Sequence, residues 1–280
     1  MRPMLPKLIF VTPIMMALIL SASLAPAQPA QLFNEHKTII GFDLLIPQFN
    51  NGESENLSGS AMLLSFRTKL NDGVKFVGEL PLAHGSYSSY YGYKESEDVI
   101  GNPYIGIESS KITDPVLFEI GISPPVTSDN NPLASTVGIF SDITRIHDFA
   151  PKYLIGRAMI DFRKKSESGI AVLIKAGPTL WLNTGGDEYS LRDNDEEFLN
   201  YGGQVWYEGS KINVGAGLSG ITVLSGESLI DESRTDFQFE VGASVNFKNV
   251  RPGLSLRVPL SQDLKDAINS VIGFNIQFQM

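Results

Sequence analysis

The 280-residue chain carries 22 basic and 31 acidic side chains, a net charge of −9, 42% apolar residues, 26 glycines and no cysteine. A mean hydropathy of +0.01 is too high for a disordered chain, and the acidic balance excludes a nucleic-acid binder, which needs a basic surface. The missing cysteines exclude a disulfide scaffold, thiolate zinc, iron–sulfur clusters and a lipid anchor on an N-terminal Cys.

Arg2 and Lys7 precede an apolar run over 8–20, followed by small residues ending in Ala25, Pro26 and Ala27. This order predicts a secretory signal peptide over 1–27, cleaved after Ala27, which leaves the mature chain at −11. An uncleaved anchor is the alternative, but the run is shorter than the roughly 20 residues that span a bilayer, and Pro13 interrupts it. A periplasmic lead-in follows over 28–37, then one domain over 38–280.

Alternation of apolar with small or polar residues predicts about twelve strands: 38–46, 60–70, 74–82, 101–110, 116–123, 153–163, 170–182, 198–207, 212–224, 236–247, 253–260 and 269–280. The last is the clearest, with Ile272, Phe274, Ile276, Phe278 and Met280 interleaved by Gly273, Asn275, Gln277 and Gln279. Most segments match the length of a tilted membrane strand, about 9–11 residues, rather than the usual 5–6 of globular sheets. Short links at 71–73, 111–115, 164–169, 208–211 and 248–252 alternate with longer polar links at 47–59, 83–100, 124–152, 183–197, 225–235 and 261–268. That alternation predicts an all-β, antiparallel, up-and-down transmembrane barrel with short periplasmic turns and long extracellular loops.

Two patterns independent of loop length agree. On the outward parity, Phe66, Phe76, Phe118, Phe162, Tyr207, Phe247 and Phe278 fall at one level, as a membrane girdle requires. The short turns collect Lys69, Lys111, Lys164, Lys165, Lys211, Lys248 and Arg251, whereas the long links concentrate acids such as Glu53, Glu95, Glu97, Asp98, Asp187, Glu188 and Asp193. A soluble exported β-sandwich also alternates, but it needs neither strands this long nor an aromatic level.

The inward parity supplies Asp43, Glu79, Glu108, Glu119, Asp161 and Glu240 against Arg67, Lys75, Arg157, Lys175 and Arg257. These are candidate lumen and solute contacts; either they set a transverse field in a narrow channel, or they pair across the bore and satisfy one another. Inward Trp181 and Trp206 either stack on a flat solute or narrow the barrel. Inward glycines, among them Gly121, Gly215 and Gly242, either open the bore or make room for a neighbour. In the longest link, Val137, Ile139, Phe140, Ile143 and Ile146 recur at nearly helical spacing, so a short helix is expected over 136–149, in the mouth or on the rim. The tyrosines at Tyr87, Tyr90, Tyr91 and Tyr93 read as loop decoration.

Gly215 to Gly220 matches G-x-G-x-x-G, but strand alternation runs through it and no helical period follows, which argues against a dinucleotide site. His36, His84 and His147 fall in expected loops or the lead-in, without metal-ligand spacing; no catalytic residue, metal or cofactor is expected, and the acidic run at 193–197 lacks the glycine of a calcium loop.

The segment Gly101-Asn102-Pro103-Tyr104-Ile105-Gly106-Ile107-Glu108, the run 118–125 into a polar loop, and Arg251-Pro252-Gly253 leading to Leu260 resemble the bacterial outer-membrane transporter family named for the MetA pathway of phenol degradation. The resemblance spans most of the mature chain. It implies an outer-membrane barrel of a Gram-negative-type bacterium that passes or binds small, possibly aromatic, solutes. Met280 stands where such barrels commonly end in an aromatic, with Phe278 two positions earlier. The expected partners are outer-membrane lipid, the barrel-assembly machinery acting on the C-terminal strand, and a small solute, with the barrel a monomer. The alternatives are a structural or adhesive barrel with a closed lumen and, further off, an outer-membrane hydrolase.

Overall fold

The computed structural model describes residues 38–51, 55–109, 115–185, 195–225 and 234–280. The signal peptide expected at 1–27, the lead-in at 28–37 with His36, and loop acids such as Glu53, Asp187, Glu188 and Asp193 lie outside the described residues.

The first seven strands are β1 (Ile39–Phe49), β2 (Glu55–Asn71), β3 (Val74–Ser89), β4 (Lys94–Ile100), β5 (Tyr104–Ser109), β6 (Val116–Ser123) and β7 (Tyr153–Lys165). The remainder are β8 (Ile170–Asn183), β9 (Glu196–Glu208), β10 (Ile212–Ser225), β11 (Thr235–Val245), β12 (Val250–Pro259) and β13 (Ile268–Gln279). Every pairing is antiparallel, and β13 returns to pair with β1, from Ile39 opposite Gln279 to Phe49 opposite Ile268. Both β5 and β4 pair with β3, the first along Val74 to Glu79 and the second along Leu82 to Ser88, so they share one place in the wall. The result is a closed barrel of twelve strand positions, which leaves no sheet edge unpaired around most of its girth.

Strand parity sorts the two faces as the alternation predicts. On β13, Ile272, Phe274, Ile276 and Phe278 face outward and are 37–44% exposed, whereas Asn275, Gln277 and Gln279 point inward and are 9% exposed or less. Six of the seven girdle aromatics are exposed on the outer wall, Phe76 is half-buried, and the Phe66 and Phe76 rings meet at 6.1 Å. The short turns take the left-handed backbone their tightness requires, at Gly169 (φ 86°) and Lys248 (φ 50°).

Three expectations need correction. The link expected over 83–100 is largely sheet: β2 and β3 continue pairing up to Glu55 opposite Ser89, and β4 returns along them. Polar residues cover both faces of this upper hairpin, so alternation of apolar residues could not reveal it. His84 consequently sits in β3, not in a loop. The link over 261–268 holds a short helix, α2 (Gln262–Ala267), with Leu264 buried. Before it in the chain come α1 (Pro132–Ser141) and a 3-10 turn (Ile143–Phe149), which fill the mouth. Among the described residues no helix is long and apolar enough to cross a membrane.

Candidate functional site: the lumen and its plug

The bore has a charged floor. Alternation places inward charges on β2, β3, β5, β6 and β7, and neighbouring strands bring them within reach of each other. Arg67 binds both Glu108 and Glu119, the latter at 3.3 Å. Lys75 lies 3.5 Å from Glu108. Arg157 reaches Glu119 at 3.0 Å and Glu79 at 4.0 Å, while its guanidinium stacks 3.8 Å above the Tyr104 ring. Tyr104 in turn donates to Glu119 at 3.0 Å. Gly106 and Gly121 make that ring possible, since a Cβ at either would stand 2.5 Å from the Tyr104 hydroxyl. The inward glycines here accommodate a neighbour rather than widen the bore.

Asp161 pairs with Arg163 at 2.6 Å, and Arg163 also approaches Glu108 at 3.4 Å. Arg163 was missed in the sequence, although its parity, shared with Arg157 and Asp161, would have found it. Asp43 on β1 and Lys175 on β8 make no ion pair with the described residues, and the twelve-position order puts these two strands on opposite walls. The half of the bore formed by β9 to β13 is mostly neutral: Gln204, Asn213, Ser244, Ser255, Asn275 and Gln277 are buried, and Trp206 fills space left by Gly215.

The helix α1 and the 3-10 turn after it form a plug that packs inside the long-loop end of the barrel. Pro at the start of α1 suits a helix N-terminus, and Glu97 of β4 caps it by accepting from the backbone N–H groups of Leu133 (2.8 Å) and Ala134 (3.2 Å). One face of the plug buries Ala134 and Phe149 against Leu45, Ala61, Leu63, Ala83, Val99, Ile268 and Val271 of the wall. Burial of one such large side chain contributes about 1.5–3 kcal/mol. The wall is cut to fit: a Cβ at Gly85 would lie 2.7 Å from the Leu133 carbonyl oxygen, and one at Gly59 2.9 Å from the Val137 methyls.

Polar ties fix the other side of the plug. Asp142 accepts from Arg257 at 3.0 Å, and Arg257 reaches on to Glu240 at 3.0 Å and to the Ser141 carbonyl at 3.3 Å. Arg145 lies 3.7 Å from Glu79, joining the plug to the floor. Asn102 is fully buried: its Nδ2 donates to the carbonyls of His147 (3.1 Å) and Ala150 (2.7 Å), and its Oδ1 accepts from the N–H groups of Val126 (2.8 Å) and Thr127 (2.9 Å).

His147, expected in a loop, is buried inside the plug, its Nε2 3.2 Å from Asp148 Oδ1. Burial, with Arg157 nearby, pushes the imidazole down to about 3, and burial pushes the Asp148 carboxyl up to about 7 against the opposing pull of Arg145. Both groups are therefore neutral in mildly acidic conditions. Among the described residues neither His84 nor His147 hydrogen-bonds a serine, and no cluster of His, Asp and Glu could hold a metal.

Behind the 3-10 turn lies an aromatic cage. Tyr153, Trp181 and Phe198 stack at 5.2 and 4.7 Å, walled by Ile155, Ile221 and Val223 and covered by Ile146 and Ala150 of the plug. Trp181 thus lies in the cage, whereas Trp206 packs low in the neutral half, its Nε1 donating to Gln204. Trp181 Nε1 and Asn200 Oδ1 are buried with no hydrogen-bond partner among the described residues.

The expected helix over 136–149 becomes two pieces that share the mouth. The helical spacing over 136–149 anticipates a helix in the mouth, but the ion pairs of Asp142 and Arg145 and the buried bonds of Asn102 depend on how that loop docks, which no strand or helix period specifies. The G-x-G-x-x-G match lies wholly within β10, with Gly215 and Gly220 in the ladder opposite β11.

No protein-family model matches the chain, and no curated protein matches it. Solved structures do. The COG4313 outer membrane channel from Pseudomonas putida F1 is similar over 91% of this chain and 100% of its own, with a TM-score of 0.64 and 12% identity. The translocator domain of the autotransporter NalP from Neisseria meningitidis covers 98% of this chain and 96% of its own (TM-score 0.55, 12% identity). The NanC porin covers 85% and 100% (TM-score 0.51, 7% identity). At such identities the likeness establishes the fold, a closed antiparallel barrel of the outer-membrane type.

Proposed function

We propose that the barrel is a passive outer-membrane channel for small solutes, selective for those with an apolar or aromatic body, and that the plug closes its mouth. The observation that carries this reading is the aromatic cage lying directly behind a docked plug, above a floor of charges. An apolar solute gains from the cage what it loses in water, at about 25 cal/mol per Å² of apolar surface buried. Asp43 and Lys175, which make no ion pair among the described residues, are the luminal charges we assign to solute selection, whereas Arg157 and Asp161 are tied to partners and hold the floor together. On this reading the signal peptide is cleaved, β13 engages the barrel-assembly machinery, the aromatic girdle contacts lipid, and the barrel acts as a monomer.

The test is uptake by vesicles containing the reconstituted chain, with a small uncharged aromatic compared with a sugar of similar mass. Faster entry of the aromatic, slowed by Trp181→Ala, supports the reading. Equal entry of both, unmoved by that change, contradicts it. A structural barrel with a closed lumen is the second reading, favoured by the pairing of most floor charges; it predicts neither uptake nor conductance from a folded barrel.

A further inference from the structure

The wall has one irregular place. Above Glu79 the neighbour of β3 changes from β5 to β4, and the chain between them, Gly101-Asn102-Pro103, lies in no strand: the Gly101 N–H still donates to the Pro81 carbonyl of β3 at 2.9 Å, whereas the Asn102 N–H donates to the Asp148 carbonyl of the plug at 2.6 Å. On its far side β6 ends at Ser123, so β4 has no strand partner there. This break lies at lipid depth, since Ile100, Ile105, Ile122 and Val126 around it are all 50–54% exposed on the outer wall. Hydrocarbon does not tolerate open backbone polar groups, and irregular backbone persists at that depth only where it is covered by protein or lines a cavity. The cover here is the plug. Asn102 stands in for the missing ladder, and Asp129 and Lys152, which flank the plug in the chain, pair at 2.6 Å.

On the inner side of the break, Ser123 pairs with Ile155, and Tyr153 and Ile155 are two walls of the aromatic cage. Among the described residues Ser123 Oγ beside Ile155 and Trp181 Nε1 in the cage are buried without hydrogen-bond partners, which suits an apolar solute bearing a hydrogen-bonding group. For such a solute the two ways out of the cage differ sharply. The axial way passes the charged floor of Arg67, Glu79, Glu108, Glu119, Arg157 and Asp161, whereas the sideways way leads past Ala150, which the Asn102 side chain holds, toward the exposed isoleucines of the outer wall.

We propose that the β4–β5 junction is a side gate, latched by Asn102, through which an uncharged apolar solute passes between the aromatic cage and the outer half of the membrane. The same side chain holds the His147 and Ala150 carbonyls, so undocking the plug and opening the gate are one movement. The inference shares with the channel reading its apolar solute, but it adds a route that axial passage does not need.

Trp206→Phe leaves Trp181 as the single tryptophan, and the full chain in that background is reconstituted into vesicles containing dibrominated phosphatidylcholine, a quencher confined to the bilayer. Asn102→Ala removes all four of these hydrogen bonds, so the open form gains population and the quenching slope of Trp181 by brominated chains rises by about tenfold or more. Asp129→Ala, an exposed change that spares the core, moves the slope the same way by a smaller factor. Acrylamide added to the water outside is the counter-probe. An unchanged lipid slope in both variants, with heat-modifiable gel mobility intact, overturns the proposal; so does an equal rise for acrylamide, which makes Asn102 a latch of the mouth alone. Solute uptake in the same vesicles separates the two readings: uptake without lipid quenching removes the gate and leaves the channel.

Discussion

The floor and the cage lie in one lumen yet are held together by opposite means. The floor is a network of charges in which each guanidinium serves two or more carboxylates, so its integrity depends on every partner being present. The cage depends on shape: rings and branched aliphatics in contact, with few polar ties. A buried charge network tolerates almost no deletion, whereas an apolar cluster tolerates a change of similar volume. A region fixed by charge and a region fixed by shape should therefore answer differently to substitution.

The largest predicted effect breaks the floor. Arg157→Met leaves Glu119 and Glu79 without a principal cation and should cost about 3–5 kcal/mol in urea unfolding, whereas Phe198→Leu in the cage should cost less than about 1.5 kcal/mol. Similar costs for the two would erase the distinction between the regions.

Next in size is a pH effect on plug docking, from two buried groups that titrate in opposite senses. His147 drops from 6.5 to about 3 on burial, so the unfolded form takes up its proton first and docking weakens as pH falls below 6.5. Asp148 rises from 3.8 to about 7, so docking weakens as pH rises from 3.8 through 7. Arg145, Arg157, Glu79 and Asp142 face the pair and stay charged across this window. Between about pH 4 and 6.5 the two slopes, each about 1.4 kcal/mol per pH unit, cancel and the intact protein is nearly flat. Asp148→Asn should then show docking lost toward acid, and His147→Gln docking lost toward neutrality, both read as plug protection by hydrogen exchange. Parallel slopes in the two variants would contradict the assignment.

A smaller effect comes from the seat of the plug. Gly85→Val puts side-chain atoms where the Leu133 backbone lies, at a cost of about 1–3 kcal/mol that falls on docking and not on the barrel. Conductance should rise while heat-modifiable mobility stays as it was; a loss of the folded barrel instead would show the plug to be part of its core.

Much of this was legible in the sequence because a barrel wall is periodic. The inward or outward side of Arg67, Glu108 or Phe278 follows from counting by twos, and the closure of β13 on β1 follows from an even number of such segments. What the counting could not reach is where the period stops. The polar residues of β4 hide a strand, Asn102 is an ordinary turn residue until its four partners are in place, and the plug's ion pairs to the wall join residues far apart in the chain, Asp142 with Arg257 and Arg145 with Glu79. The alternatives left open for the luminal charges divide in the structure, most pairing with each other and Asp43 and Lys175 making no ion pair with the described residues.

The most direct measurement is single-channel conductance in a planar bilayer, comparing the full chain with a variant in which residues 132–149 are replaced by a short Gly-Ser linker. The account predicts a small or intermittent conductance for the full chain and a steady, larger one for the variant, with the barrel folded in both. A folded variant that conducts no better than the full chain would show that the plug is not what closes the lumen, and the claim of a plugged channel would fall.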